Sequence, residues 1–129
     1  MTALMGLGLC AQAWAAPAMT CPPDSRLEGE AGVEQWCERF DVLAAKVQRH
    51  GPSLAWHANG TLKQQGTFRS GRMDGPWREW RQDGALRVKA DYNLGHLDGS
   101  YEETTADGVR LVGQYERGQR HGTWTTIDA

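Results

Sequence analysis

The chain has 129 residues, a formal net charge of −2, 16 glycines, 6 tryptophans and only 2 phenylalanines. Its 40% hydrophobic content is below the roughly 45–50% usual for globular domains, and 12 of the glycines lie between Gly51 and Gly122. This length allows one small domain, the glycine density excludes a helical bundle over that stretch, and the near-neutral charge excludes a strongly basic nucleic-acid binder or an acidic disordered tail.

Residues 3–16, ALMGLGLCAQAWAA, form an uncharged apolar run too short to span a membrane but of the length of a secretory signal's hydrophobic region. Ala13 and Ala15 supply the small residues of a cleavage site, which predicts a signal peptide over 1–15 and periplasmic or secreted destination. Met1-Thr2 carries no basic residue, so the true start is expected upstream. A lipid anchor on Cys10 is the weaker alternative, because Leu9 precedes it where a small residue belongs.

Residues 16–32 read as a leader. Once the signal is removed, Cys21 and Cys37 remain, and an even pair in an exported chain is expected to form a disulfide, with two free thiols as the alternative. Residues 33–50 are ambiguous. Val33, Trp36, Phe40, Leu43 and Val47 recur at helical spacing, while Cys37 and the strand-prone neighbours of Trp36 suit a hairpin capping a sheet edge. The hairpin is preferred.

From residue 51 to 126 a period of 24 residues organises the chain. Its columns are Gly51, Gly75, Gly99 and, one residue early, Gly122; Gly60, Gly84 and Gly108; Gly71, Gly95 and Gly118; Phe68, Tyr92 and Tyr115; and Trp77, Tyr101 and Trp124. Trp56 and Trp80 form a further pair, with Thr104 in the third unit. Asn59-Gly60, Asp83-Gly84 and Asp107-Gly108 read as two-residue type I′ turns, and SGRMDG, LGHLDG and RGQRHG as longer punctuation. The stretches between them are rich in Trp, Tyr, Thr, Val and Leu, so each unit is a β-hairpin and the fold class is all-β, an antiparallel meander of stacked hairpins. A lone hairpin is marginal, so the aromatic columns must stack unit on unit, the Phe68 column in one row and the Trp77 column in another.

Gly66-Thr67-Phe68, Gly71, Gly75-Pro76-Trp77 and Trp80, then Tyr92, Gly95, Gly99 and Tyr101, then Gly113-Gln114-Tyr115, Gly118, Gly122 and Trp124, compose a pattern that resembles the MORN repeat family, in particular its bacterial YwqK-like antitoxin-type variant. The resemblance covers about residues 50–126. It departs at Ala90, where the flanking units have Gly66 and Gly113, and at Thr104, which implies looser packing of the last unit.

Catalytic motifs are not found: the sequence has no G-x-S-x-G, H-E-x-x-H, phosphate-binding glycine loop or C-x-x-C. His50, His57, His96 and His121 read as turn residues rather than metal ligands, Glu102 and Glu103 as solvated charges on opposite strand faces, and Asn59-Gly60-Thr61 as turn chemistry rather than a glycosylation site. The expectation is a non-enzymatic exported module without cofactor, docking a protein partner or serving as a scaffold in the envelope. The alternative is a binder of anionic lipid headgroups or cell-wall glycan through Arg69, Arg72, Arg78, Arg81 and Arg87, which are interleaved with Asp74, Glu79 and Asp83. A hydrolase or lyase with an unrecognised site is the third and weakest reading.

Overall fold

The computed structural model describes residues 19–129, so the signal peptide expected over 1–15 lies outside the described residues. The described chain is all-β: β1 (Arg26–Glu30), β2 (Glu34–Asp41), β3 (Lys46–Trp56), β4 (Leu62–Arg69), β5 (Arg72–Met73), β6 (Gly75–Trp80), β7 (Leu86–Asn93), β8 (His96–Thr104), β9 (Arg110–Glu116) and β10 (Gln119–Ile127). They form one antiparallel sheet in sequence order, with the short β5 pairing only β4.

Two kinds of turn alternate, and they are distributed differently from the sequence expectation. The two-residue type I′ turns are Ser70-Gly71, Leu94-Gly95 and Arg117-Gly118, where both residues have positive φ (47° and 84°, 46° and 90°, 51° and 82°). At Asn59-Gly60, Asp83-Gly84 and Asp107-Gly108 only the glycine does. These are three-residue loops: His57 N–H donates to Thr61 O at 2.8 Å and Gly60 N–H to His57 O at 3.0 Å, with the same pattern at Arg81/Ala85 and Thr105/Val109. Asn59 Oδ1 and Asp83 Oδ1 each accept the backbone N–H two residues on, which holds the Asn or Asp in an ordinary right-handed conformation and leaves the left-handed position to glycine alone.

Neighbouring units are then stitched at both ends. The glycine of each type I′ turn donates its N–H to the preceding unit, Gly71 to Arg49 O, Gly95 to Met73 O and Gly118 to Leu97 O. At the other end, His57 Nε2 contacts Trp80 O at 2.8 Å, and Arg81, one period later, donates to Thr104 O.

The segment 33–50 is a hairpin and not a helix. β2 and β3 pair with Phe40 opposite Val47, and Trp36 opposite Ser53. Long-range pairing overrides the helical spacing here, and it leaves Val33, Phe40, Leu43 and Val47 exposed instead of burying them as a stripe. The sheet also reaches further back than expected, because β1 lies inside the 16–32 leader and β3 crosses the boundary at 50/51 without a break. Cys21 and Cys37 are disulfide-bonded with Cα atoms 5.5 Å apart. Cys37 is wholly buried, and Pro22 sits so close to Gly51 that a Cβ there would lie 2.6 Å from its ring. Closing a loop of this size stabilises by about 3 kcal/mol, mainly by restricting the unfolded chain.

The aromatic columns interleave into a ladder of two clusters, Phe68–Trp77–Tyr92 and Tyr101–Tyr115–Trp124, and in the second Tyr101 also meets Trp124 of its own column at 5.7 Å. Phe68 and Trp77 meet edge to face at 6.0 Å, Trp77 and Tyr92 at 6.3 Å, Tyr101 and Tyr115 at 5.4 Å, and Tyr115 and Trp124 at 5.2 Å. Arg49 closes the ladder at one end, lying over both Trp36 and Phe68, and Arg120 at the other, over Trp124. Running across the strands, large and small residues alternate on this face. Trp77 lies opposite Ala90, Ala90 opposite Tyr101, and Tyr101 opposite Gly113. Gly66 lies directly under the Trp77 ring and Gly113 under the Trp124 ring, so that a Cβ at either would fall inside the indole. Ala90 departs from the repeat pattern, and the strand that follows it brings a tyrosine opposite, Tyr101, where the strands after Gly66 and Gly113 bring an indole. The ring heteroatoms are met on the same strand: Trp36 Nε1 donates to Glu38, Trp77 Nε1 to Glu79 and the Tyr101 hydroxyl to Glu103. Burial, and then the Glu103 carboxylate, push Tyr101 up to about 12.

Candidate binding surfaces

The meander gathers the β2–β3 turn and all three type I′ turns at one end of the sheet. There, Arg39 and Asp41 from β2, Gln48 and His50 from β3, Arg69 from β4 and Arg72 from β5 surround a cavity of about 520 Å³ that Ser70 and Leu94 complete. Arg39 donates to Ser70 Oγ at 3.3 Å. None of the three arginines makes an ion pair among the described residues. The cavity therefore sets three guanidinium groups against the single carboxylate of Asp41, and their planar donors suit phosphate or carboxylate.

His50 serves this turn as an acceptor. Its Nδ1 receives the Ser70 backbone N–H at 3.1 Å, as Asp74 Oδ1 receives that of Leu94 one unit later, also at 3.1 Å. The column therefore asks for a side-chain acceptor, and a histidine meets it only when neutral. Burial first, then Arg39 and Arg69, hold its pKa below the ordinary 6.5. A histidine depressed in the folded state contributes stability that is complete above its unfolded value and lost as pH falls through the lower folded value. Thermal melts between about pH 7.5 and about pH 5 are expected to show a downward step that His50→Asn, which keeps an uncharged acceptor, removes. An unchanged step in that variant would assign the titration to another group.

The arginine-rich stretch does not form one patch. Arg69 and Arg72 join the cavity, Arg78 lines a hollow on the face away from the ladder with Met19, Thr20 and Leu54, Arg81 is taken up by Thr104 O, and Arg87 is paired with Glu79. Sequence spacing does not reveal Arg39 as a member of the cationic group or His50 as the neutral acceptor beside it. Their only signal was position, since the strand order that brings β2 and β3 beside β4 is not written in local spacing. The Glu102 and Glu103 side chains do point to opposite faces, Glu103 accepting from Tyr101 and Glu102 from Arg110 at 2.9 Å. His121 pairs with Glu116 at 3.1 Å, and among the described residues no group of three or more His, Cys, Asp or Glu converges as a metal site.

Beside the cavity, the β2–β3 tip projects apolar side chains into solvent. Leu43 is 99% exposed and Val42 81%, above the exposed Phe40–Val47 pair, with Asp41 Oδ1 accepting the Ala44 N–H to shape the turn. Apolar side chains grouped in this way mark docking surfaces. No protein-family model matches the chain, and no curated protein matches it.

Proposed function

We propose that this chain is an exported, non-catalytic repeat module of the MORN type, whose capping hairpin docks a protein partner in the cell envelope. The observation that carries this reading is the apolar β2–β3 tip of Phe40, Val42, Leu43 and Val47, held out from the sheet by its pairing to the rigid repeat stack. The Cys21–Cys37 disulfide supports an oxidising compartment, and the apolar run over residues 3–16 supports export to the periplasm or beyond. The 24-residue columns and their placement in turns and ladder support the repeat family.

A photo-activated cross-linker at Leu43 is expected to capture an envelope protein that the same group at Lys89, exposed on the opposite face, does not. Equal capture at both positions, or none at Leu43, would remove the hairpin reading. Arg39, Arg69 and Arg72, none of them ion-paired among the described residues, favour a second reading, anionic lipid or glycan recognition at the same end. In that case vesicles with anionic headgroups retain the protein at low salt and release it as salt is added.

A further inference from the structure

The two edges of the sheet are built differently. β1 is five residues long and charged, with Arg26, Glu28 and Glu30 spread along it, the usual protection of an edge. β10 has nine residues, and from Gly122 to Ile127 it reads GTWTTI, without charge or proline. Among the described residues its outer side has no neighbour in the sheet.

The ladder is unfinished at this edge. Trp77 has small residues on both neighbouring strands, Gly66 and Ala90, and Tyr101 has Ala90 and Gly113. Trp124 has Gly113 on one side only. Its Nε1 is shut off from solvent without an acceptor among the described residues, because Thr126 stands where Glu38, Glu79 and Glu103 serve the other rings.

The strand that would continue the pattern can be specified. Opposite Gly75 and Trp77 lie Tyr92 and Ala90, and opposite Gly99 and Tyr101 lie Tyr115 and Gly113. Each time the added strand reads small, any, aromatic, with the small residue facing the ring and the aromatic facing the glycine. β10 itself reads Gly122-Thr123-Trp124.

We propose that the occupant of this edge is a second copy of the chain, its β10 pairing antiparallel so that Gly122 of each copy lies opposite Trp124 of the other. The two-fold axis then passes through Thr123, giving an isologous interface and one continuous sheet. Antiparallel pairing also sets Arg120 of β10 and Arg117 of the turn before it beside the Asp128 end of the partner strand, and keeps like charges apart. This proposal uses the β10 edge alone and stands or falls separately from the hairpin-tip reading.

Thr123 is exposed and would face its own counterpart across the axis, so it provides a charge test. Sedimentation equilibrium of the full chain is expected to give twice the chain mass. Thr123→Lys and Thr123→Glu, each placing like charges directly opposite one another, are expected to weaken self-association by about tenfold or more while leaving the circular dichroism of the sheet unchanged. An equimolar mixture of the two variants should recover the double mass, which a folding defect could not do. A single-chain mass for the unmodified protein throughout the micromolar range, association that persists in both variants, or a mixture that stays monomeric would each overturn the proposal.

Discussion

Gly66→Ala is expected to destabilise the protein by about 3 kcal/mol or more, although alanine is the better residue for a strand on conformational grounds. Gly66 has no positive φ, so the substitution would ordinarily stabilise by about 0.4–1 kcal/mol through the unfolded chain. The sign reverses because the added methyl would occupy the space of the Trp77 ring. That ring cannot slide away: it is held edge to face by Phe68 and Tyr92, and its N–H is held by Glu79. Urea unfolding checks the result, and a gain in stability would show that the ring and the glycine do not define the stack.

Trp77→Ala is the second large effect, about 3–5 kcal/mol, against a total stability of about 5–15 kcal/mol for a domain of this kind. Trp77 is 8% exposed, the most buried of the ladder rings, and it joins two units at once. Its removal takes away both edge contacts, opens a cavity over Gly66 and Ala90, and leaves the Glu79 carboxylate with Arg87 alone. In the Thr123→Lys background, which keeps the chain single, Trp124→Ala should cost distinctly less, because that ring is half-buried at the sheet edge. A thermal melt in which the two substitutions cost the same would mean that position within the ladder does not matter.

Period and turn residues made the architecture legible: glycines and aromatics 24 residues apart specify strands, their number and their neighbours, because each unit repeats the same local problem. The Cys21–Cys37 bridge was legible for a related reason, as only two cysteines follow the apolar run. Turn type was not. Asn-Gly and Asp-Gly fit two loop geometries, and the backbone bonds of His57 with Thr61, Arg81 with Ala85 and Thr105 with Val109 close the three-residue one each time. The cap was misleading in part, since Val33, Phe40, Leu43 and Val47 carry helical spacing that pairing with β3 overrules. The cationic cavity was half legible. Arg69 and Arg72 are close in sequence, but Arg39 and His50 reach them only through the lateral order of strands, which no local pattern encodes.

Ala90 carries the most specific information: a methyl stands in the row where the following strand brings a tyrosine, and a glycine stands wherever it brings an indole that would overlap the methyl. The double-mutant cycle of Gly66→Ala with Trp77→Tyr, measured by urea unfolding, therefore tests the central claim that each ring is matched to the small residue beneath it. The matched pair should recover a large part of what Gly66→Ala loses, with a coupling of about 1 kcal/mol or more in favour of the double variant. Strictly additive losses would contradict the claim.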